Sequence, residues 1–231
     1  MTDDCVVLFS RWFRTQHDLH TPLHNACEDG DVQTVEALLK MGADVNECDE
    51  AGVSALATAA SWGQVDVCRL LLANGANVMK ADKLGDTALH EAARADELDV
   101  AEVLCEAPGM DVNVKNKHGC TALHVASHAG KGAMVKLLIR LGASVNGPKG
   151  EMKGGYSALH VAAANGSSSS LSALLEGGAN IRHSASESTI HRSASGTALE
   201  LAEANDHKEA AQLLRNASQR EFEKNGLFGP E

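Results

Sequence analysis

One six-residue phrase recurs along this chain of 231 residues: Thr21-Pro22-Leu23-His24-Asn25-Ala26, then Ser54-Ala55-Leu56-Ala57-Thr58-Ala59. It returns as T-A-L-H-E-A from Thr87, T-A-L-H-V-A from Thr121, S-A-L-H-V-A from Ser157 and T-A-L-E-L-A from Thr197. The steps between copies are 33, 33, 34, 36 and 40 residues. A period of this size marks a solenoid of stacked supersecondary units, none of which can bury its apolar face alone. Such an array presents an extended surface, which suits holding another macromolecule rather than converting a small one.

Each copy follows one plan. A Gly-containing turn comes first, as in Asp49-Glu50-Ala51-Gly52, Asp82-Lys83-Leu84-Gly85 and Asn116-Lys117-His118-Gly119. Thr or Ser then stands where an N-cap hydroxyl can take up free helix N–H groups, and Pro22 sits in a first turn, where proline is tolerated. The first helix is rich in Ala: Ala26, Ala59-Ala60, Ala92-Ala93, Ala126 and Ala162-Ala163 hold one phase. A break follows at Gly30, Gly63, Gly130 and Gly166, with Asp96 and Asp206 in the same place in copies three and six. The second helix carries the pairs Leu38-Leu39, Leu71-Leu72, Leu137-Leu138, Leu174-Leu175 and Leu213-Leu214, and Leu104 is expected to be buried at that phase in copy three. Gly42, Gly75, Gly142 and Gly178 are expected to end these helices in the left-handed conformation. The run Ser167-Ser168-Ser169-Ser170 is poor helix material and is expected to weaken the second helix of copy five.

The pattern resembles the ankyrin repeat, whose signature is T-P-L-H-x-A with a 33-residue period. The resemblance implies an all-α solenoid of helix-turn-helix units with β-turn or hairpin tips. Residues 1–15, with Val6, Val7, Leu8, Phe9, Trp12 and Phe13, are expected to form an N-terminal apolar cap, or a docking segment. Six repeats are expected at about 16–48, 49–81, 82–115, 116–151, 152–191 and 192–216, followed by a polar cap and tail over 217–231. Two connections exceed the period, from Gly147 to Tyr156 and from Arg182 to Ser195; Ser184–Ser195 is expected to be open to proteases.

The resemblance also implies a structural, hydrogen-bonding part for His24, His90, His124 and His160, leaving the bonding open where Ala57 and Glu200 replace them. Repetition at the structural period itself argues against catalysis. His124 and His128 are spaced to share a helix face, but no third ligand is evident and Val125 stands where a zinc-protease Glu would be, so no metal site is expected. No cofactor or catalytic motif is read, and the chain is not expected to be an enzyme; a metal-dependent enzyme is the remote alternative.

By position in the family, partner contacts fall on turn tips and the ends of first helices: Glu28, Asp29, Glu50, Val53, Trp62, Lys83, Leu84, Asp86, Arg94, Lys117, His118, His128 and Tyr156. Trp62 is the expected anchor, flanked by Arg94 and His128, because other copies place Asp29, Ala95, Ala129 and Asn165 at its phase. Asn46, Asn113 and Asn146 end the D-V-N or S-V-N phrases, and in this family such an Asn either stabilises the turn or is hydroxylated by an oxygen-sensing hydroxylase.

The formal net charge of −11 speaks against a nucleic-acid partner, which needs clustered Lys and Arg, and permits a basic protein partner. No apolar run reaches membrane-spanning length, the acidic Met1-Thr2-Asp3-Asp4 start is unlike a secretory signal, and the six Cys show no framework spacing, with Cys27, Cys68 and Cys105 in apolar helical phases. A monomer in the cytoplasm or nucleus is the expectation. Its role is that of an adaptor or scaffold binding a protein; the alternative is a direct inhibitor or assembly chaperone of an enzyme complex, in layout like the ankyrin-type proteasome chaperones.

Overall fold

The hydroxyl residue of each repeated phrase holds extended backbone, and its neighbour begins a helix. A computed structural model describes residues 21–147, 155–184 and 196–224 of the chain. Among the described residues there are twelve helices and three isolated antiparallel bridges, Cys48 to Ser54 and Ala81 to Thr87, which pinch the bases of tips, and Ser184 to Thr197. The first helices are α1 (Pro22–Asp29), α3 (Ala55–Ser61), α5 (Ala88–Ala95), α7 (Ala122–His128), α9 (Ala158–Ala164) and α11 (Ala198–Ala204). The second helices are α2 (Val32–Lys40), α4 (Val65–Ala73), α6 (Leu98–Glu106), α8 (Gly132–Arg140), α10 (Ser168–Glu176) and α12 (Lys208–Lys224). The all-α repeat solenoid is therefore the fold. The 1–15 segment, most of the 184–195 connection and the residues after 224 lie outside the described residues, and the expected boundary at 216 falls inside α12.

Helices of seven to nine residues, as all but α12 are, are marginal in water. They persist because first helices pack on first helices and second on second, so each repeat shields its neighbours. The Ala phase makes this possible: Ala59, Ala60, Ala92, Ala93, Ala126, Ala162 and Ala163 are all buried. Leu71, Leu104, Leu138, Leu174 and Leu214 fill the space beneath, each essentially inaccessible. Their spacing of 33, 34, 36 and 40 residues repeats the steps of the phrase itself. So the equivalent of Leu71 is Leu138, not Leu137, and Leu214, not Leu213.

The Gly-turn between the two helices is left-handed at Gly30, Gly63, Gly130 and Gly166, and Asp96 and Asp206 adopt the same conformation at φ 71° and 58°. Asp tolerates that region better than most side chains. Second helices close as expected, with Ala76 N–H donating to the Leu71 carbonyl at 3.0 Å and Ala143 N–H to Leu138 at 2.9 Å, past Gly75 and Gly142 in left-handed geometry. Copy three differs: Pro108 forces Ala107 into extended backbone (ψ 139°) and stops α6 there. The serine run does form α10, because Leu171, Ala173 and Leu174 are buried and tertiary packing outweighs propensity. Its misfit shows elsewhere: Ser170 is fully buried and its hydroxyl has no hydrogen-bond partner among the described residues.

Candidate partner-binding surface

The repeated histidines decide how the tips attach to the stack. His90 Nδ1 accepts the Thr87 N–H at 3.1 Å, closing a capping box on α5. The ring proton is thereby placed on Nε2, which donates to the Cys120 carbonyl in the next tip at 3.1 Å. His24 bonds the Val53 carbonyl at 2.9 Å and His160 the His183 carbonyl at 3.0 Å; the backbone of Tyr156 serves His124. Burial pushes His124 and His160 down to about 4, as expected for imidazoles locked neutral. With both ring nitrogens engaged, His124 cannot join exposed His128 on a metal, and no cluster of three or more potential ligands exists among the described residues. In copy six Glu200 takes over the capping box, accepting the Thr197 N–H at 2.7 Å. In copy two Ser54 caps the Ala57 N–H at 3.2 Å.

The tips are Asx turns. Asp82 Oδ1 accepts the N–H groups of Leu84 and Asp86 at 2.8 and 2.7 Å, and Asp49 and Asn116 do the same in their tips. The extended phrases on the far side are joined by asparagine amides. Asn46 accepts the Asn77 N–H at 2.7 Å and donates to the Gly75 carbonyl, and Asn113 and Asn146 repeat this against Ser144 and Gly142, and Asn180 and Gly178. Both ends of all three amides are thus occupied by the neighbouring repeat.

Of the residues expected on the contact surface, Trp62 is 50% exposed at the C-terminal end of α3, and Leu84 is 48% exposed at a tip. Asp29, Glu50, Lys83, Lys117, His118 and His128 are exposed, Glu28 and Tyr156 half-buried. Desolvation at the end of α7 and the nearby Arg94 charge hold the His128 imidazole below its usual pKa. Tyr156 stands edge-on to the His160 ring at 5.9 Å.

Three expectations need correction. Val53 is buried, packed under its tip with its carbonyl taken by His24. Asp86 is only 5% exposed. Arg94 does not flank Trp62 as a free cation. Its guanidinium turns back, donating to Asp86 Oδ2 at 2.6 Å and to the Glu91 carboxylate. Asn116 completes the cluster with a 2.7 Å bond to Asp86 Oδ1. Burial alone would raise the Asp86 carboxyl, but Arg94, Asn116 and His90 outweigh it and hold it below the usual range. For Glu91 burial wins and its carboxyl is pushed up. Sequence reasoning missed Glu91 and Asn116. The signal was there: copy three alone carries ionic residues at all three phases, which copies two, four and five fill with Val53, Cys120 and Tyr156, with Thr58, Val125 and Val161, and with Ser61, His128 and Ala164, while copy one has Glu28 at the last of them.

The family model described as Ankyrin repeats (3 copies) matches residues 3–82, 23–116, 79–149 and 108–185. Among solved structures, the chain is similar to the crystal structure of the ankyrin repeat domain of Bcl-3, a member of the IkappaB protein family, at 29% identity and TM-score 0.72 over 86% of each chain. No curated protein sequence matches.

Proposed function

Because the chain belongs to the ankyrin-repeat family, whose arrays mediate protein–protein interaction, we propose that it is a non-catalytic binding module. It holds a protein partner on the face made by the first helices and tips, acting as an adaptor or scaffold. The observation that carries this reading is Trp62. A half-exposed indole stands at the end of α3 where every other copy has a small or polar residue. Large aromatic side chains with exposed area are the usual anchors of interfaces, since they bury much surface at little entropic cost. With Arg94 turned inward, the other exposed residues expected at contacts in repeats one and two are Asp29 and Glu50, both acidic, and exposed His128 belongs to repeat four. The acidic side chains near repeat one suit a basic partner segment there.

The test is an affinity capture with the full chain and its Trp62→Ala variant. A stoichiometric protein partner should be held by the first and weakened by at least about 1–2 kcal/mol in the second, with the circular dichroism unchanged. Equal retention, together with loss on changing exposed residues of α4 or α6, would move the site to the second helices. Inhibition or assembly chaperoning of an enzyme complex is the same binding with a different consequence, separated by whether the captured partner is active while bound.

A further inference from the structure

The row of tips holds a basic island within an acidic chain. Tips two, three and four are joined by backbone: Lys83 N–H donates to the Ala51 carbonyl at 3.2 Å and Lys117 N–H to the Leu84 carbonyl at 2.9 Å. The approach is so close that a Cβ on Gly85 would lie 2.8 Å from the Lys117 nitrogen, so the ribbon of tips is fixed in register by glycine.

In tip three the acids Asp82 and Asp86 fold inward, while the bases of tips three and four lie outward. One Asp82 oxygen is used by two backbone N–H groups, and the Asp86 carboxylate is held by Arg94 and Asn116. Lys83, Lys115, Lys117 and His118 are exposed. The lysines are also positioned: the Lys83 ammonium donates to the Glu50 carbonyl, and the Lys117 ammonium to the Lys83 carbonyl at 2.7 Å. Each is thereby laid along the row with two of its three N–H donors left for another acceptor. Between them stands Leu84, 48% exposed.

We propose that the Lys83–Leu84–Lys117–His118 ridge docks a short acidic segment of a partner protein, with carboxylates on the two ammonium groups and an apolar side chain against Leu84. This rests on reading the array as a partner-binding module and assigns one partner chemistry to its tips. Charge complementarity selects the occupant. The chain as a whole carries a formal charge of −11, so a long polyanion is repelled by the surrounding surface. A short acidic segment feels mainly the island, because charges beyond roughly 8 Å are screened at physiological salt. Exposed Glu50 at the repeat-two end gives the row a direction, excluding carboxylates there and admitting them toward repeat four.

The test is an amide NMR titration of the full chain with a capped ten-residue peptide of glutamates around one central leucine. Shifts should concentrate at Leu84, Gly85, Lys117 and His118, and the affinity should fall about tenfold in Lys83→Glu/Lys117→Glu, since charge reversal replaces two charge-assisted contacts by repulsion. The Gln-for-Glu peptide should not bind. Amide positions away from the tips report whether the variant keeps its fold. Shifts elsewhere, an unchanged affinity in the variant, or tighter binding of a ten-nucleotide oligouridylate would overturn the proposal. A captured protein partner that Trp62→Ala loses and Lys83→Glu/Lys117→Glu retains would end the tip proposal while leaving the binding module intact.

Discussion

Acid should loosen this array, and the cause should be traceable to individual imidazoles. His124 and His160 have folded-state pKa values of about 4, against 6.5 when exposed. A pKa depressed by folding means stability that is fully present above the unfolded value and is lost as the pH falls toward the folded one. At pH 5 the unfolded chain holds about 0.9 more proton than the folded chain at each ring, so the pair gives a slope of about 2.4 kcal/mol per pH unit. Integrated from pH 7 to pH 5, the two rings remove about 3–4 kcal/mol, a large part of a typical domain's 5–15 kcal/mol. His90, lowered by burial against the pull of Asp86, adds to this. Asp82 and Glu91, whose carboxyls burial raises, act with the opposite sign. The assay must therefore isolate one ring. Urea unfolding followed by circular dichroism at pH 7, 6, 5.5 and 5 gives the slope for the native chain and for His124→Gln. The variant will be less stable throughout, but its slope near pH 5.5 should be shallower by about 1 kcal/mol per pH unit. Parallel slopes would show that the His124 ring is not held neutral, and would refute the capping-box and carbonyl-bond account of it.

Other substitutions test the packing. Leu104→Ala should cost about 2–5 kcal/mol through lost transfer energy and a cavity, read from the urea midpoint; an unchanged midpoint would contradict its burial. Ser170→Val puts an apolar residue where other copies have Val67, Val100 and Met134. By removing a buried hydroxyl without a partner, it should raise stability by about 1 kcal/mol in the same assay. Asp86→Ala leaves Arg94 and Glu91 with a broken network and should cost about 3 kcal/mol, whereas Asp86→Val with Glu91→Val and Arg94→Ala, the residue types of other copies, should recover most of the loss. A triple variant no more stable than Asp86→Ala would mean that the ionic cluster is a net stabiliser.

Much of the fold was legible because the signals repeat. The Thr or Ser caps, the Ala phase and the left-handed glycines each occur several times, so a single misfit does not hide the period. The Leu phase was readable but easily misaligned: Leu137-Leu138 and Leu213-Leu214 look like the other pairs, yet only their second members align with Leu71. The contact surface was less legible, since exposure at a tip depends on side chains from other segments. Asp86 looks available in sequence, but Arg94 returning from the end of α5 and Asn116 of the next tip cover it. Val53 is concealed by its place under the tip rather than by its type. The tip ribbon depends on how the next tip approaches, which no single copy discloses.

Wherever the repeated histidine is present, its bond to a carbonyl turns that junction into its own reporter. An Nε2 proton buried in such a bond is sheltered from exchange with water, so it gives a separate downfield resonance. His24 watches the first junction through Val53, His90 the third through Cys120, and His160 the far end through His183. The second junction has no such signal, because Ala57 stands in the place of the ring. Under gentle destabilisation, the order in which these resonances fade spells out which end of the stack lets go first, with no label attached.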